Sequence, residues 1–196
     1  DAQIIASRKH PQFVAKLVER EIDDVQDGIV TVEGCAREAG FKTKIAVSTN
    51  DGNVDPVGSI IGVKGQKIKP IIDEIGGERL DVIKYHEDIK QFIAEALLPA
   101  EIKGIKMDEE IGEDGGARKI ATVIVDQDQF LPALGKRGIN IKLAAILTKT
   151  KLDVKTSIEN AIKILIKANT TEGYIVLKDD KYIGKISLIN LINKKR

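Results

Sequence analysis

The sequence predicts an α+β fold in which one small unit, three strands with helices packed on one face, is written twice. Three observations carry this. A Gly-x-x-Gly turn occurs at Gly62-Val63-Lys64-Gly65 and again at Gly135-Lys136-Arg137-Gly138, each time between an apolar stretch and a helix-like segment. Each turn is followed by a strand-like run containing Leu-Asp-Val, at Leu80-Asp81-Val82 and at Leu152-Asp153-Val154. Upstream, two helical cores align directly, Phe13-Val14-Ala15 on Phe92-Ile93-Ala94.

The first unit opens with a helix over 10–21, where Phe13, Val14, Leu17 and Val18 recur at helical spacing and His10 suits a cap or the surface. Strands are predicted over 28–37 and 42–49, parted by Glu38-Ala39-Gly40; in the second, Ile45 and Val47 alternate with Lys44 and Ala46. A short apolar helix over 57–61, the glycine turn, a helix over 66–75 and a strand over 79–85 complete the unit. The second unit repeats this order: a helix over 87–98 closed by Pro99, strands over 101–108 and 117–126, and helices over 130–134 and 139–149. A strand over 151–157 ends it. Residues 158–169 read as an amphipathic helix, Tyr174–Leu177 and Tyr182–Ile186 as a hairpin, and 187–194 as a short terminal helix. The junction at Tyr85-His86-Glu87 has almost no linker, so a fixed relation between the units is expected.

Composition narrows the function classes. Hydrophobic residues at 42% and charged residues at 31% are ordinary for a soluble globular protein. Aromatics reach only 4% and Trp is absent, which argues against extensive base stacking on aromatic platforms. The lone Cys35 excludes an internal disulfide, and two histidines do not make a metal cluster, so no metal or cofactor is expected and a reducing, cytoplasmic home fits. A net charge of +1 and a pI of about 7.9 mean that any nucleic-acid contact must come from local charge. No apolar run reaches membrane-spanning length, and no signal peptide is visible. The chain opens without Met on Gln3-Ile4-Ile5-Ala6-Ser7, which reads as the end of a strand, so a fragment of something longer is expected.

The paired turns carry the chemistry. A K-homology (KH) module clamps four nucleotides of single strand with a Gly-x-x-Gly loop, whose middle residues offer N–H groups to phosphate. Cationic side chains add a salt-dependent contribution. The first loop supplies Lys64, with Gln66, Lys67 and Lys69 beside it; the second supplies Lys136 and Arg137, with Asn140 and Lys142. The groove floor is expected from Ile61, Ile68 and Ile45 in the first unit, and from Leu134, Ile141 and Val123 in the second. A single such loop reads more readily as a plain helix–helix turn with solvated lysines; two in matching context favour a shared use.

Rival chemistries lack their residues. Gly58-Ser59-Ile60-Ile61-Gly62-Val63-Lys64 misses the spacing and hydroxyl of a mononucleotide P-loop. No triad pattern surrounds His10 or His86, so no enzyme is expected. Asp108-Glu109-Glu110 with Glu113-Asp114 lacks a calcium-loop spacing and reads as a solvated hairpin turn. Cys35 sits among apolar neighbours and reads as packing.

Longer strings then point to a family. Ala36-Arg37-Glu38-Ala39-Gly40, Lys44-Ile45-Ala46-Val47, the run from Asn50 to Gly58 and Gly76-Gly77-Glu78-Arg79-Leu80-Asp81-Val82-Ile83 resemble the first KH region of the NusA family of bacterial transcription factors. Leu134–Ala144 resembles that family's second KH loop, departing where Ile139 stands before Asn140, and Gln3–Arg8 resembles the last strand of its S1 domain. The resemblance implies type II KH domains in rigid tandem: an S1 strand over 1–9, a first KH domain over 10–85, a second over 86–157, and an extension over 158–196 outside the resemblance. It implies a monomeric elongation factor that binds nascent single-stranded RNA and RNA polymerase with other elongation and antitermination factors, modulating pausing, termination and antitermination. The implied contacts run along Gly62–Lys67 and Gly135–Asn140. A ribosomal or RNA-processing KH protein, and an interaction scaffold with degenerate loops, stand as the alternatives.

Overall fold

The first domain starts where Pro11 can occupy a helix's first turn without a missing donor, and His10 Nδ1 caps it by accepting from Gln12 N at 3.2 Å. The structure, a computed structural model, describes residues 7–111 and 117–156 together with two strands at 172–176 and 182–187. Helix α1 (Pro11–Glu21) buries Val14, Leu17 and Val18 of the predicted stripe and Ala15 besides, while Phe13 is half-buried against the same core. A short helix α2 (Asp23–Gln26) follows, then β1 (Thr31–Glu38) and β2 (Lys42–Ser48). Helix α3 (Pro56–Ile61) is capped by Asp55, which accepts from Val57 N at 3.1 Å. A 3-10 turn over Val63–Gly65 leads to α4 (Lys69–Glu74) and β3 (Arg79–Lys84).

The second domain repeats the order. Helix α5 (Ile89–Ala96) is capped by Asp88, which accepts from the N–H groups of Lys90 and Gln91. Strands β4 (Ile102–Ile111) and β5 (Ala117–Val125) form its hairpin. Helix α6 (Gln127–Leu134), a 3-10 turn over Lys136–Gly138, α7 (Ile139–Thr148) and β6 (Lys151–Thr156) close it. Both sheets have the same topology, β1-β2-β3 and β4-β5-β6: the first pair antiparallel, the second parallel. Each has its register shift at the same place, between Val32 and Gly34 and between Ile102 and Gly104. Strands β7 (Glu172–Val176) and β8 (Tyr182–Ser187) pair antiparallel, as the hairpin reading expects. Of the strand read over 1–9, residues 7–9 are described and are not strand, and Ser187, read as opening a terminal helix, ends β8. Residues 1–6, the helix read over 158–169 and residues 188–194 lie outside the described residues.

Strand β4 runs on to Ile111, α6 starts three residues early at Gln127, and α5 is shorter at both ends than its reading. Three further differences have a local cause or none in the pattern. The first strand starts at Thr31, because Gly28 turns at φ +72°. The helix expected from Gln66 starts at Lys69; Pro70 has no N–H to bond back to Gln66, so the regular ladder starts later. The four-residue α2 has no counterpart in the pattern of apolar spacing.

The domains share a core. Ile45 and Val47 of β2 face the first domain's own helices, with Val14, Val18, Ile60 and Ile71. On the opposite face of that sheet, Ala36, Ala46 and Ile83 pack with Ile93, Leu97, Leu143, Ala144 and Leu147 of the second domain. The approach is close enough that a Cβ on Gly34 would sit 3.3 Å from Leu147 Cδ1. At the junction Tyr85 and Phe92 meet edge to face at 5.0 Å. The first sheet is thus covered on both faces, which gives the fixed relation its physical basis.

Candidate nucleic-acid interface

Both Gly-x-x-Gly segments connect two helices and have nearly the same backbone. Gly62 and Gly135 each lie at φ 71° and ψ 174°, and the third residues, Lys64 and Arg137, at φ 53° and 56°. Gly65 and Gly138 follow at φ 77° and 70°. The first glycine is required twice over. Its φ is left-handed, and a Cβ on Gly62 would stand 2.7 Å from Lys67 Cγ and 3.0 Å from Lys67 N. On Gly135 it would stand 2.6 Å from Asn140 Cβ. The last glycines need only their φ, since a Cβ on Gly138 meets nothing within 4 Å.

Each turn is closed internally, Gly65 N on Gly62 O at 3.1 Å and Gly138 N on Gly135 O at 3.1 Å. Among the described residues, nothing accepts the N–H groups of the two middle residues in either loop. Those residues stand outward: Val63 is 76% exposed, and Lys64, Lys136 and Arg137 are exposed as well. A non-glycine residue at positive φ, held there in both copies, is strain of the kind that gathers at binding sites.

The flanking residues divide. Gln66 and Lys69 are exposed beside the first loop. Lys67 is exposed too, but its ammonium meets Asp24 of α2 at 2.9 Å. That pairing holds the Asp24 carboxyl below its usual range, the Lys67 hydrogen bond being the chief cause. Lys142 pairs with Glu38 across the domain boundary at 2.8 Å. Ile61, Leu134 and Ile141 are half-buried against the cores.

Two expectations need correction. Asn140 is only 3% exposed: its amide donates to Leu97 O at 3.1 Å and Ala133 O at 3.2 Å, and its oxygen accepts from Lys42 Nζ at 3.0 Å. Its side chain is committed to the protein and is withdrawn from the set of RNA contacts. Ile45, Ile68 and Val123 are core residues rather than groove floor, being 0%, 6% and 0% exposed. Short helices laid over a sheet bury the strand residues Ile45 and Val123 on that face completely, and Ile68, just before α4, packs into the same core as Ile45.

Sequence reasoning missed the polar joint behind the loops. Lys42 and Lys44 both reach Asp81, at 2.7 and 3.1 Å. Burial raises the Asp81 carboxyl's affinity for a proton, but hydrogen bonds and charge from the two lysines outweigh it and hold the pKa below normal. Burial pushes Lys44 down to about 8 against the attraction of Asp81. The alternating pattern of β2 signals which residues leave the first core, but not that a second domain covers them. Cys35 is apolar packing, as expected; burial pushes its thiol up to about 12, which leaves little thiolate at neutral pH.

Comparison with known proteins gives these loops a context. Residues 8–85 match the family described as NusA-like first KH domain, and residues 89–162 the NusA-like second KH domain. Proteins named transcription termination/antitermination protein NusA align with the chain. That of Bacillus subtilis is 42% identical over 154 residues, 79% of this chain and 40% of its own length. That of Halalkalibacterium halodurans is 39% identical over 157 residues, 80% of this chain and 39% of its own length. That of Thermus thermophilus is 39% identical over 145 residues, 74% of this chain and 36% of its own length. The chain thus spans about 40% of the length of the curated relatives it matches. The crystal structure of APE1850 shares the fold at a TM-score of 0.54 and 21% identity, covering 74% of this chain and 97% of its own.

Proposed function

The chain belongs to the NusA family, whose first and second KH domains it carries, and from that membership we propose that it binds single-stranded RNA through its two Gly-x-x-Gly loops. The observation that carries the reading is the duplicated loop geometry. In each copy two N–H groups that no described residue accepts belong to exposed residues, among them the cations Lys64 in one and Lys136 with Arg137 in the other. Phosphate oxygens accept from such N–H groups, and the cations add attraction that falls with salt. The RNA-binding set we propose is Ile61, Gly62, Val63, Lys64, Gly65, Gln66, Lys67 and Lys69 with Leu134, Gly135, Lys136, Arg137, Gly138 and Lys142.

The proposed role is that of a binding module rather than an enzyme, working as a monomer on nascent RNA in the cytoplasm. The names of its relatives support a part in transcription termination and antitermination. In the longer protein, contacts with RNA polymerase and other elongation factors would combine with this surface to modulate pausing.

The test replaces Val63 and Lys64 together by Asp, and separately Lys136 and Arg137, and titrates single-stranded RNA at two salt concentrations. Folding is expected to survive, because all four side chains are exposed. Affinity is expected to fall in both variants. The salt slope of log K is expected to become shallower by about 0.7 for each phosphate of the single strand that the variant no longer neutralises. RNA affinity unchanged in both variants refutes the proposal. Duplex bound as tightly as single strand refutes the KH mode of binding.

A further inference from the structure

We propose that Asn140 is a positioning residue: through Lys42 it fixes the second loop against the first domain, and with it the placement of the two loops relative to each other. The inference rests on the RNA-binding reading above. Asn140 lies two residues beyond Gly138, at the start of α7. Its side-chain nitrogen donates to Ala133 O at 3.2 Å and Pro132 O at 3.4 Å, on the entry side of the loop. It also donates to Leu97 O at 3.1 Å, just past the end of α5. Its Cβ occupies the space beside Gly135 that a loop side chain would need. Its oxygen accepts from Lys42 Nζ, at the start of β2 in the other domain, at 3.0 Å. One side chain therefore touches both ends of the loop and both domains.

The equivalent position in the first domain is used differently. There Lys67 lies against Gly62, and its ammonium reaches Asp24 of its own domain. Only the second loop is tied across the boundary in this way among the described residues. Lys42 is itself fixed, because Asp81 holds it at 2.7 Å and also holds Lys44, which is wholly buried under the second domain. A chain of charge-assisted bonds thus runs from within the first sheet to the second loop. A strand touching both loops binds the second at an effective concentration set by how firmly the loops are held relative to each other.

Two variants test this. Lys42→Met removes the ammonium and keeps the stem; Asn140→Leu removes the polar contacts at similar volume and without a charge change. Each is titrated with random-sequence single strands of two lengths: four nucleotides, matched to one KH module, and about 20, enough to engage both. Long-strand affinity is expected to fall about tenfold or more, with four-nucleotide affinity held within about twofold. Amide resonances of Gly135–Gly138, recorded without RNA, are expected to move in Lys42→Met although the substitution is in the other domain. Those of Gly62–Gly65 are expected to stay. If Asn140→Leu does not fold, Lys42→Met alone decides. Unmoved second-loop resonances with unchanged long-strand affinity overturn the inference, and so do equal losses at both lengths. A wild-type chain that binds neither strand overturns the RNA reading itself, and is seen before any variant is compared.

Discussion

Within each loop the two glycines are not equivalent. Gly62 and Gly135 occupy a left-handed backbone in a space already filled by Lys67 and Asn140, whereas Gly65 and Gly138 need only the backbone. Alanine at Gly65 or Gly138 is expected to cost about 1–2 kcal/mol, the penalty for a Cβ at positive φ. Alanine at Gly62 or Gly135 adds an overlap, and its total is expected to exceed that by a further ~1–3 kcal/mol. Urea denaturation of the four single variants reads this ranking; equal losses at first and last glycines contradict it. The requirement at Gly135 comes from Asn140, so the residue that locks the loop is also the one that restricts its first position.

Between β1 and β3 the first domain holds a buried ion pair that organises its end near α1. Glu78 accepts from Arg37 Nε and Nη2 at 3.0 Å each, from Gly40 N at 2.8 Å and from the Thr43 hydroxyl, while Arg37 Nη1 donates to Arg8 O at 2.6 Å. Burial alone would raise the Glu78 pKa, but Arg37, Thr43 and Gly40 outweigh it and the carboxyl titrates below its usual range. The stability this contributes is present above the ordinary glutamate pKa and is lost as pH falls through the lower folded value. Glu78→Gln leaves a guanidinium only 5% exposed without its counter-charge, and is expected to cost about 3 kcal/mol. Urea melts at pH 7 measure it, and the gap to wild type is expected to narrow in acid. Glu78 was legible only as part of a family string, because its partners lie 35 to 41 residues away along the chain. Elements read better than pairs. The order of helices and strands was legible because apolar spacing and glycine turns are local signals. Asn140 was misread because its burial comes from Leu97 and Lys42, which no local pattern brings near. Val63, Lys64, Lys136 and Arg137 were legible as exposed because a turn between two helices has nothing to cover it.

At the scale of the molecule, one sheet is covered on both faces, and Lys44 lies beneath the cover. Burial, with the positive charges of Lys42 and Arg79, outweighs the attraction of Asp81 at 3.1 Å and lowers the folded pKa of Lys44 from 10.5 to about 8. The unfolded chain keeps that proton up to about 10.5 and the folded one only to about 8, so stability gains from this group as pH rises between them. Relative to Lys44→Met, wild type is expected to gain about 3 kcal/mol across that window, from about 1.4 kcal/mol per unit. Denaturation curves at pH 7 and pH 10 test this, and a constant difference contradicts it. The two sheets also differ at matching register. Where the first offers Ala36, Ala46 and Ile83 to the second domain, the second sheet carries Lys106, Ile124 and Lys155, both lysines exposed. Helices of one repeat seated on the sheet of the one before form a head-to-tail arrangement, the kind that in identical units propagates into a filament. At the corresponding places the second sheet presents exposed lysines in place of alanine and isoleucine, so it does not repeat the apolar seat that the second domain occupies on the first.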